Sequence, residues 1–311
     1  MDYIKIKERK MPQFDVTLLT SSQYIIADAG DEFAETILEE DRLLTSALEK
    51  CGLKVTRTYW DNPDFNWADT KYVVFRTPWD YFNRYDEFEP WLKNAGKVTK
   101  FINPIEIINW NIDKHYMLDL EKAGINIPPT IFIEPGDKRK LSEITKELNW
   151  EEFILKPAIS GGAWHTYRMN KSSISEHEAI FAELIQDRSM LMQEYQNSIL
   201  TEGEVSYMVI GGKFTHAILK KGKADDFRVQ ESFGGTIHEY TPTPEEIEFA
   251  QNVVRVSKPG IVYARVDVMR DNTGKLTLGE LEVFEPALWF RSCPEAAEEI
   301  ADITAGILRN K

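Results

Sequence analysis

Two segments near the C-terminus hold the densest set of chemically capable side chains. The first reads Gly260-Ile-Val-Tyr263-Ala-Arg265-Val-Asp267-Val-Met-Arg270. After Asp271-Asn-Thr-Gly274 the second reads Lys275-Leu-Thr-Leu-Gly-Glu280-Leu-Glu282-Val-Phe-Glu285-Pro286. Alternation places Tyr263, Arg265 and Asp267 on one strand face and Ala264, Val266 and Val268 on the other. Glu280 and Glu282 likewise share a face. A two- or four-residue loop would bring them to the side of Asp267, whereas a three-residue bulged loop would break that count. Three gathered carboxylates repel one another unless a cation sits among them. Oxygen donors alone favour a hard ion such as Mg²⁺, which takes few carboxylates and fills its shell with water and phosphate oxygens. A solvated sheet face with Arg265 paired to an acid accounts for the spacing equally well.

A second set surrounds Lys156, which ends the apolar run Phe153-Ile-Leu155 and precedes Pro157-Ala-Ile-Ser160-Gly161-Gly162-Ala163. A lysine there can reach a phosphate while loop N–H groups cradle it. Such a loop is more often a plain turn, and it matches no Walker pattern. Lys114, Lys220, Lys221, Arg228, Glu194 and Glu204 each have an ordinary explanation as solvated charges. The run Arg76-Thr-Pro-Trp79-Asp80-Tyr81-Phe82 packs a cation, an acid and aromatics at a strand's C-terminal end. Ligands of α/β sheets bind there, which favours a substrate pocket slightly over a packed aromatic corner. The five histidines lack zinc spacing. No Gly-x-Ser-x-Gly elbow or Gly-x-Gly-x-x-Gly fingerprint occurs, which weakens hydrolase and dinucleotide readings.

The elements that must position these groups follow from hydrophobic periodicity. Phe14–Thr20, Lys54–Trp60 and Lys71–Arg76 read as strands around a helical stripe over Thr36–Lys50 that Cys51-Gly52 closes. This alternation predicts a parallel α/β layer over residues 1–108. A helix over Lys114–Gly124 follows, then strand, helix, strand (Phe153–Lys156), polar loop, helix and strand (Met190–Tyr195). The remainder is strand-rich, with Val205–Ile210, Phe214–Leu219, Ile261–Val268 and Leu276–Phe284, and a closing helix over Pro294–Leu308. An α/β start before strand-rich halves predicts an α+β body at 109–194 and 195–311.

At 311 residues with 42% hydrophobic content, the chain can bury a substantial core and is not of disordered type. Its 51 acidic against 37 basic residues give a formal charge of −14. That charge repels nucleic acid and anionic membrane at long range, so neither is an expected general partner, while a local basic pocket stays open. Cys51 and Cys293 are too few for a disulfide scaffold or a Cys-rich zinc site. The charged start MDYIKIKERK lacks an apolar signal segment, and no run reaches about 20 apolar residues, so a cytoplasmic protein is expected.

Taken in order, the motifs resemble the ATP-grasp superfamily. The succession is Lys114, Lys156, the Ser160–Ala163 loop, Gln193-Glu194-Tyr195, Gly203-Glu204-Val-Ser206, Arg265-x-Asp267 and Glu280-x-Glu282. The resemblance implies a Rossmann-like N-terminal domain and two α+β subdomains that clasp ATP. Within the superfamily the chain is most similar to the cyclo-ligases of the D-cycloserine pathway, which close O-ureidoserine into a ring. That likeness is carried by Arg76–Phe82, Asn103-Pro104, Asp226-Phe-Arg228-Val-Gln230 with Gly234-Gly235-Thr236, Tyr263–Asp267, Glu280–Pro286 and Arg291.

The resemblance implies roles position by position. Lys114 and Lys156 would contact ATP phosphates, with Ser160, Gly161, Gly162 and Lys220 in the ATP site. Gln193, Glu194 and the Tyr195 backbone would lie at adenine, and Glu204 at the ribose. Asp267, Glu280 and Glu282 would hold Mg²⁺, two ions in all. Arg265 and Arg228, with Lys156, would stabilise the transferred phosphoryl group, while Arg76, Trp79, Asp80, Tyr81 and Arg291 would face an amino-acid-like substrate. Many such ligases carry Asn where Glu282 stands, and Trp164-His165 matches no familiar position. The expected chemistry is carboxylate phosphorylation followed by attack of an amine, with ring closure favoured over glutathione-synthetase-like peptide ligation by the Trp79-Asp80-Tyr81 run. A nucleotide sensor without turnover is disfavoured, because acids retained for an unused metal site would carry an electrostatic penalty. ATP-grasp relatives are often dimeric, which leaves a homodimer open.

Overall fold

The computed structural model describes residues 11–224 and 226–310. The first ten residues, where no signal segment is expected, lie outside the described residues, as do Asp225 and Lys311. The first sheet contains β1 (Phe14–Thr20), β2 (Val55–Tyr59), β3 (Thr70–Thr77) and β4 (Lys100–Ile102) in the order β2-β1-β3-β4. All its pairings are parallel, as the alternating pattern predicts. Helix α1 (Glu32–Lys50) starts before the expected Thr36, because the Asp31 carboxylate accepts the Ala34 N–H at 2.9 Å and caps it. Its far end turns at Gly52, whose φ of +82° suits glycine. Helices α2 (Tyr85–Ala95) and α3 (Ile105–Ile112) flank β4 in sequence and pack on the same sheet.

After α4 (Tyr116–Lys122) come β5 (Thr130–Ile133), α5 (Leu141–Ile144), β6 (Glu152–Pro157), β7 (Tyr167–Asn170), α6 (Ile174–Leu184) and β8 (Met190–Glu194). Their strands form an antiparallel sheet, β5-β8-β6-β7. Part of the segment expected as a polar loop is thus β7, the partner of β6. Then follow α7 (Ser198–Thr201), β9 (Glu204–Ile210), β10 (Lys213–Lys221), β11 (Thr236–Glu239), α8 (Pro244–Val256), β12 (Tyr263–Arg270), β13 (Leu276–Glu282) and α9 (Pro294–Arg309). The third sheet, β11-β10-β9-β12-β13, is antiparallel throughout. No helix among the described residues is long and apolar enough to cross a membrane.

Two expectations about the middle of the chain change. Lys114 lies in the turn before α4 rather than on the helix, tied there by its N–H to the Ala158 carbonyl at 3.0 Å. Moreover, Tyr116, Met117 and Leu120 of α4 pack with Val209, Val253, Val266 and Leu281, in the core of the third sheet rather than the second.

Strand β13 is an edge, and an uncovered edge is a liability. Here polar groups satisfy it residue by residue. The Asn126 carbonyl accepts the Leu278 N–H at 2.9 Å, and the Tyr116 hydroxyl accepts that of Leu281 at 2.9 Å. Asn111 donates to the Leu281 carbonyl at 2.7 Å and accepts from the Val283 N–H at 2.9 Å. Asn103 donates to the carbonyls of Val283 and Tyr263, both at 2.8 Å, and so stitches the end of β4 to the third sheet. These bonds hold the strand that carries Glu280 and Glu282.

Candidate active site

Alternation along β12 does face Arg265 and Asp267 away from the core, which takes Ala264, Val266 and Val268. The return along β13 is less direct than a simple hairpin. Asp271–Lys275 connects the strands, and the register next to that turn pairs Val268 with Leu278. Uninterrupted, it would bring Glu280 opposite core-facing Val266. A bulge at Gly279 shifts the register, so that Asp267 pairs with Glu280 and Arg265 with Glu282. A Cβ on Gly279 would lie 2.7 Å from Met269 Cε and 3.3 Å from Glu204 Oε2, which accounts for the glycine.

These acids meet cations delivered from the other elements. Arg265 forks onto Asp267, with Nε to Oδ1 at 3.0 Å and Nη2 to Oδ2 at 2.8 Å, and its Nη2 also reaches Glu282 Oε1. Lys220 of β10 lies 3.2 Å from Asp267 Oδ2 and pairs with Glu204 of β9. Lys114 Nζ is 3.0 Å from Glu280 Oε1 and donates to the Ser160 carbonyl at 2.7 Å, which pins the Gly-rich loop. Lys156 of β6 opens onto the same cavity.

The titration behaviour follows from this arrangement. Burial would raise Asp267, but Arg265 and Lys220 hold it down at about 2. Burial would also raise Glu280, and Lys114 and Lys156 outweigh it in the downward direction. Glu282 is pushed well up by burial and by its neighbours Glu280, Glu285 and Asp267, against the pull of Arg265. Burial lowers Lys156, assisted by the charge of Lys114. Burial and Glu280 push Glu285 up to about 7.

All these groups line one cavity of about 420 Å³. Its lining includes Pro128, Ile154, Gln193–Gln196, Phe227 and Met269, and the aromatic residues Tyr24, Phe33, Trp79, Phe82 and Trp289. The charged cluster and the Ser160–Ala163 loop lie on its wall as well. Cations beside acids, a backbone loop and an apolar slot suit a polyphosphate nucleotide.

Comparison with known proteins agrees with that geometry. Residues 16–103 match the family described as D-cycloserine synthetase DcsG, N-terminal domain. Residues 116–289, more than half the chain, match prokaryotic glutathione synthetase, ATP-grasp domain. The chain belongs to the ATP-grasp family.

Among relatives of this ATP-grasp protein, the cycloserine biosynthesis protein DcsG of Streptomyces lavendulae is 25% identical over 286 residues, covering 86% of this chain and 93% of that protein. A probable alpha-L-glutamate ligase of Marinomonas sp. (strain MWYL1) is 26% identical over 181 residues, 58% of each chain. In structure, D-cycloserine synthetase DcsG superposes with a TM-score of 0.81 at 22% identity, over 94% of this chain and 99% of that one. D-alanine–D-alanine ligase from Bacillus anthracis complexed with ATP gives 0.61 at 15% identity, over 96% and 99%. The ATP-grasp protein is an enzyme of the carboxylate–amine ligase type, and its family uses ATP and Mg²⁺.

The donor set suits Mg²⁺, since every candidate ligand is a carboxylate oxygen and Asp267 faces Glu280 directly across the strands. The expected three-acid cluster is not assembled, however. Among the described residues no three of His, Cys, Asp and Glu converge to share an ion. The reason is charge pairing: Arg265 contacts both Asp267 and Glu282, while Lys114 takes Glu280. Two carboxylates with phosphate oxygens would still satisfy Mg²⁺.

The remaining expected residues divide in two. Gln193, Glu194, Tyr195, Glu204, Gly161, Gly162, Trp79 and Arg228 line the cavity. The Tyr195 N–H is already engaged with Glu152 O, and its carbonyl accepts from Asn272, so that backbone could read adenine only through the carbonyl's second lone pair. Arg228 is forked onto Asp226 and stacked over Phe233. By contrast Arg76, Asp80, Tyr81 and Arg291 do not line the cavity: the first three stand behind the wall, and Arg291 is exposed at the surface. Arg76, 1% exposed, binds Asp41 at 3.0 Å and stacks on Phe290. Asp80 accepts from Trp60 Nε1 at 2.9 Å and pairs with Arg84. Arg291 reaches Glu231 at 3.4 Å. Arg76, Asp80 and Tyr81 thus back the lining rather than form it, since their side chains are turned to partners within the fold. Sequence reading missed Tyr24 and Phe33 as lining residues. Their signal was position: both follow β1, at the C-terminal edge of a parallel sheet.

Proposed function

We propose that the protein is an ATP- and Mg²⁺-dependent ligase that phosphorylates a small amino-acid-like carboxylate and closes it into a ring through a C–N bond. One observation carries this reading: Lys114, Lys156, Lys220 and Arg265 converge with cross-strand Asp267 and Glu280 beside the Ser160–Gly162 loop. Lys114, Lys156 and loop N–H groups would hold the ATP phosphates. Gln193 and Glu194 would lie at the base, and Glu204 at the ribose. Asp267 and Glu280 would hold Mg²⁺, with Glu282 beside them, and two bound ions would supply charge neutralisation at the β- and γ-phosphates.

Arg265, aided by Arg228, would stabilise charge as a substrate carboxylate oxygen takes the γ-phosphoryl group and ADP leaves. The amine nitrogen then attacks the acyl carbon, phosphate departs and the amine loses a proton. The second sheet with its Gly-rich loop would exclude water as a lid. The domain division at 1–108, 109–194 and 195–311 is kept as part of this reading, with α4 reassigned to the third unit by its packing, so that the lid starts near residue 128. Ring closure rather than joining of two molecules is supported by the near-complete coverage of DcsG. The test is ADP and phosphate release with ATP, Mg²⁺ and single amino acids, ureido acids such as O-ureidoserine, or amino-acid pairs. Release with one acid and formation of its cyclic amide support ring closure. A strict need for two acids replaces it with peptide ligation, and no release with any acid overturns the ligase reading.

A further inference from the structure

Glu285 lines the cavity but has no part in the chemistry just described. It is 8% exposed, and the nearby cations are committed elsewhere: Lys114 to Glu280, and Arg265 to Asp267 and Glu282. Its recorded side-chain partner is the neutral Tyr81 hydroxyl. A buried carboxylate without a paired cation is costly, and a cation placed beside it offsets that cost.

The surroundings specify which cation. The Glu285 carbonyl accepts the Trp79 indole N–H at 3.0 Å, so one residue both fixes that ring and supplies the acid. Glu285 Oε1 lies close to the Gly-rich loop, 3.9 Å from where a Gly161 Cβ would stand, with the Phe82 ring 2.9 Å from that same point. Trp79 and Phe82 both line the cavity and offer aromatic surface, which favours an organic ammonium. Lys156 and Arg265 lie on the same cavity, so a zwitterion has a cationic side for its carboxylate and an anionic corner for its ammonium.

We propose that Glu285 anchors the ammonium group of the substrate amino acid, with Trp79 and Phe82 as the wall against which it is held. This rests on the amino-acid ligase reading and adds to it the residue that would reject acids lacking an amino group. It also fixes which end of the substrate meets the phosphates.

The test is calorimetric titration of enzyme loaded with a non-hydrolysable ATP analogue and Mg²⁺. The probes are O-ureidoserine and serine, each beside the acid that lacks the α-amino group. The wild type should favour the amino form by about 30-fold or more, the scale expected for a buried charge pair. Glu285→Gln should reduce that preference below about threefold, and Glu285→Asp, which keeps the charge, should restore part of it. Melting curves with the ATP analogue establish that the variants fold. The inference is overturned if neither amino form binds, if Glu285→Gln keeps the preference, or if it weakens both members of a pair equally. An increased Mg²⁺ requirement with the amine-free acids also overturns it, in favour of a metal ligand. Failure of the ligase reading itself shows separately, as absence of ADP release while the binding preference persists.

Discussion

Glu280 faces Asp267 across β12 and β13 because Gly279 adds one residue to the ladder between them. Without that bulge the side-chain period of two would turn Glu280 into the core. Deleting Gly279 should leave Glu280 opposite Asp267 in an unbulged ladder and keep ATP-dependent turnover. One residue inserted after Gly279 should instead place Glu280 opposite core-facing Val266 and abolish turnover. Gly279→Val, which crowds Met269 and Glu204, should cost about 1–3 kcal/mol by overpacking. Denaturant melts and ADP release measure these effects, and full activity in the insertion would refute the register argument.

Asn111 serves two backbone groups of the edge strand, the Leu281 carbonyl and the Val283 N–H. Asn111→Leu leaves both without that partner at a buried position. The expected loss is about 2–6 kcal/mol, at about 1–3 kcal/mol per orphaned group. A fall in urea midpoint at unchanged slope is the expected signature.

Lys114 joins Glu280 to the Gly-rich loop through the Ser160 carbonyl. Lys114→Met should lower kcat/KM for ATP by about 100-fold or more, the scale of losing one electrostatic contact in such a site. Lys114→Arg should recover little, since a planar fork cannot occupy the same point between the carboxylate and the carbonyl. Steady-state kinetics with varied ATP decide this.

His115 is held between Asp113 at 2.6 Å and Glu134 at 3.0 Å and stacks on Phe132. Burial alone would lower its pKa, but these two carboxylates outweigh burial and raise it above the ordinary 6.5. The protonated form is thus favoured in the folded chain. Its contribution to stability should be fully present below about pH 6.5 and fade as pH rises through the raised value. In melting curves from pH 5 to 9, the gap between wild type and His115→Gln should narrow toward alkaline pH. A gap that widens would contradict the pairing.

Asp267 is 2% exposed and held by Arg265, Lys220 and Ser206. Asp267→Asn should raise the Mg²⁺ concentration needed for half-maximal turnover by about tenfold or more, the expected scale for weakening a metal site. Magnesium titration at saturating ATP tests it. Unchanged Mg²⁺ dependence would remove Asp267 from the metal assignment.

Much of this protein follows from local pattern. Phe14–Thr20 and Thr70–Thr77 carry the apolar stretches Leu18-Leu19 and Tyr72–Phe75, which suit a covered parallel sheet, and the stripe in α1 buries against that sheet. The alternation in Tyr263–Arg270 likewise places Arg265 and Asp267 on one face, whatever packs there. Periodicity is a property of a single segment, so the chain reveals it directly. What only tertiary structure decided was which distant groups meet. The bulge at Gly279, the turn that carries Lys114, the pairing of Arg265 with two acids, and the retreat of Arg76 and Asp80 behind the wall all depend on neighbours far away in sequence. Charge neutralisation and close packing choose among rotamers and registers that local pattern leaves equivalent, and they act only once the three sheets are assembled.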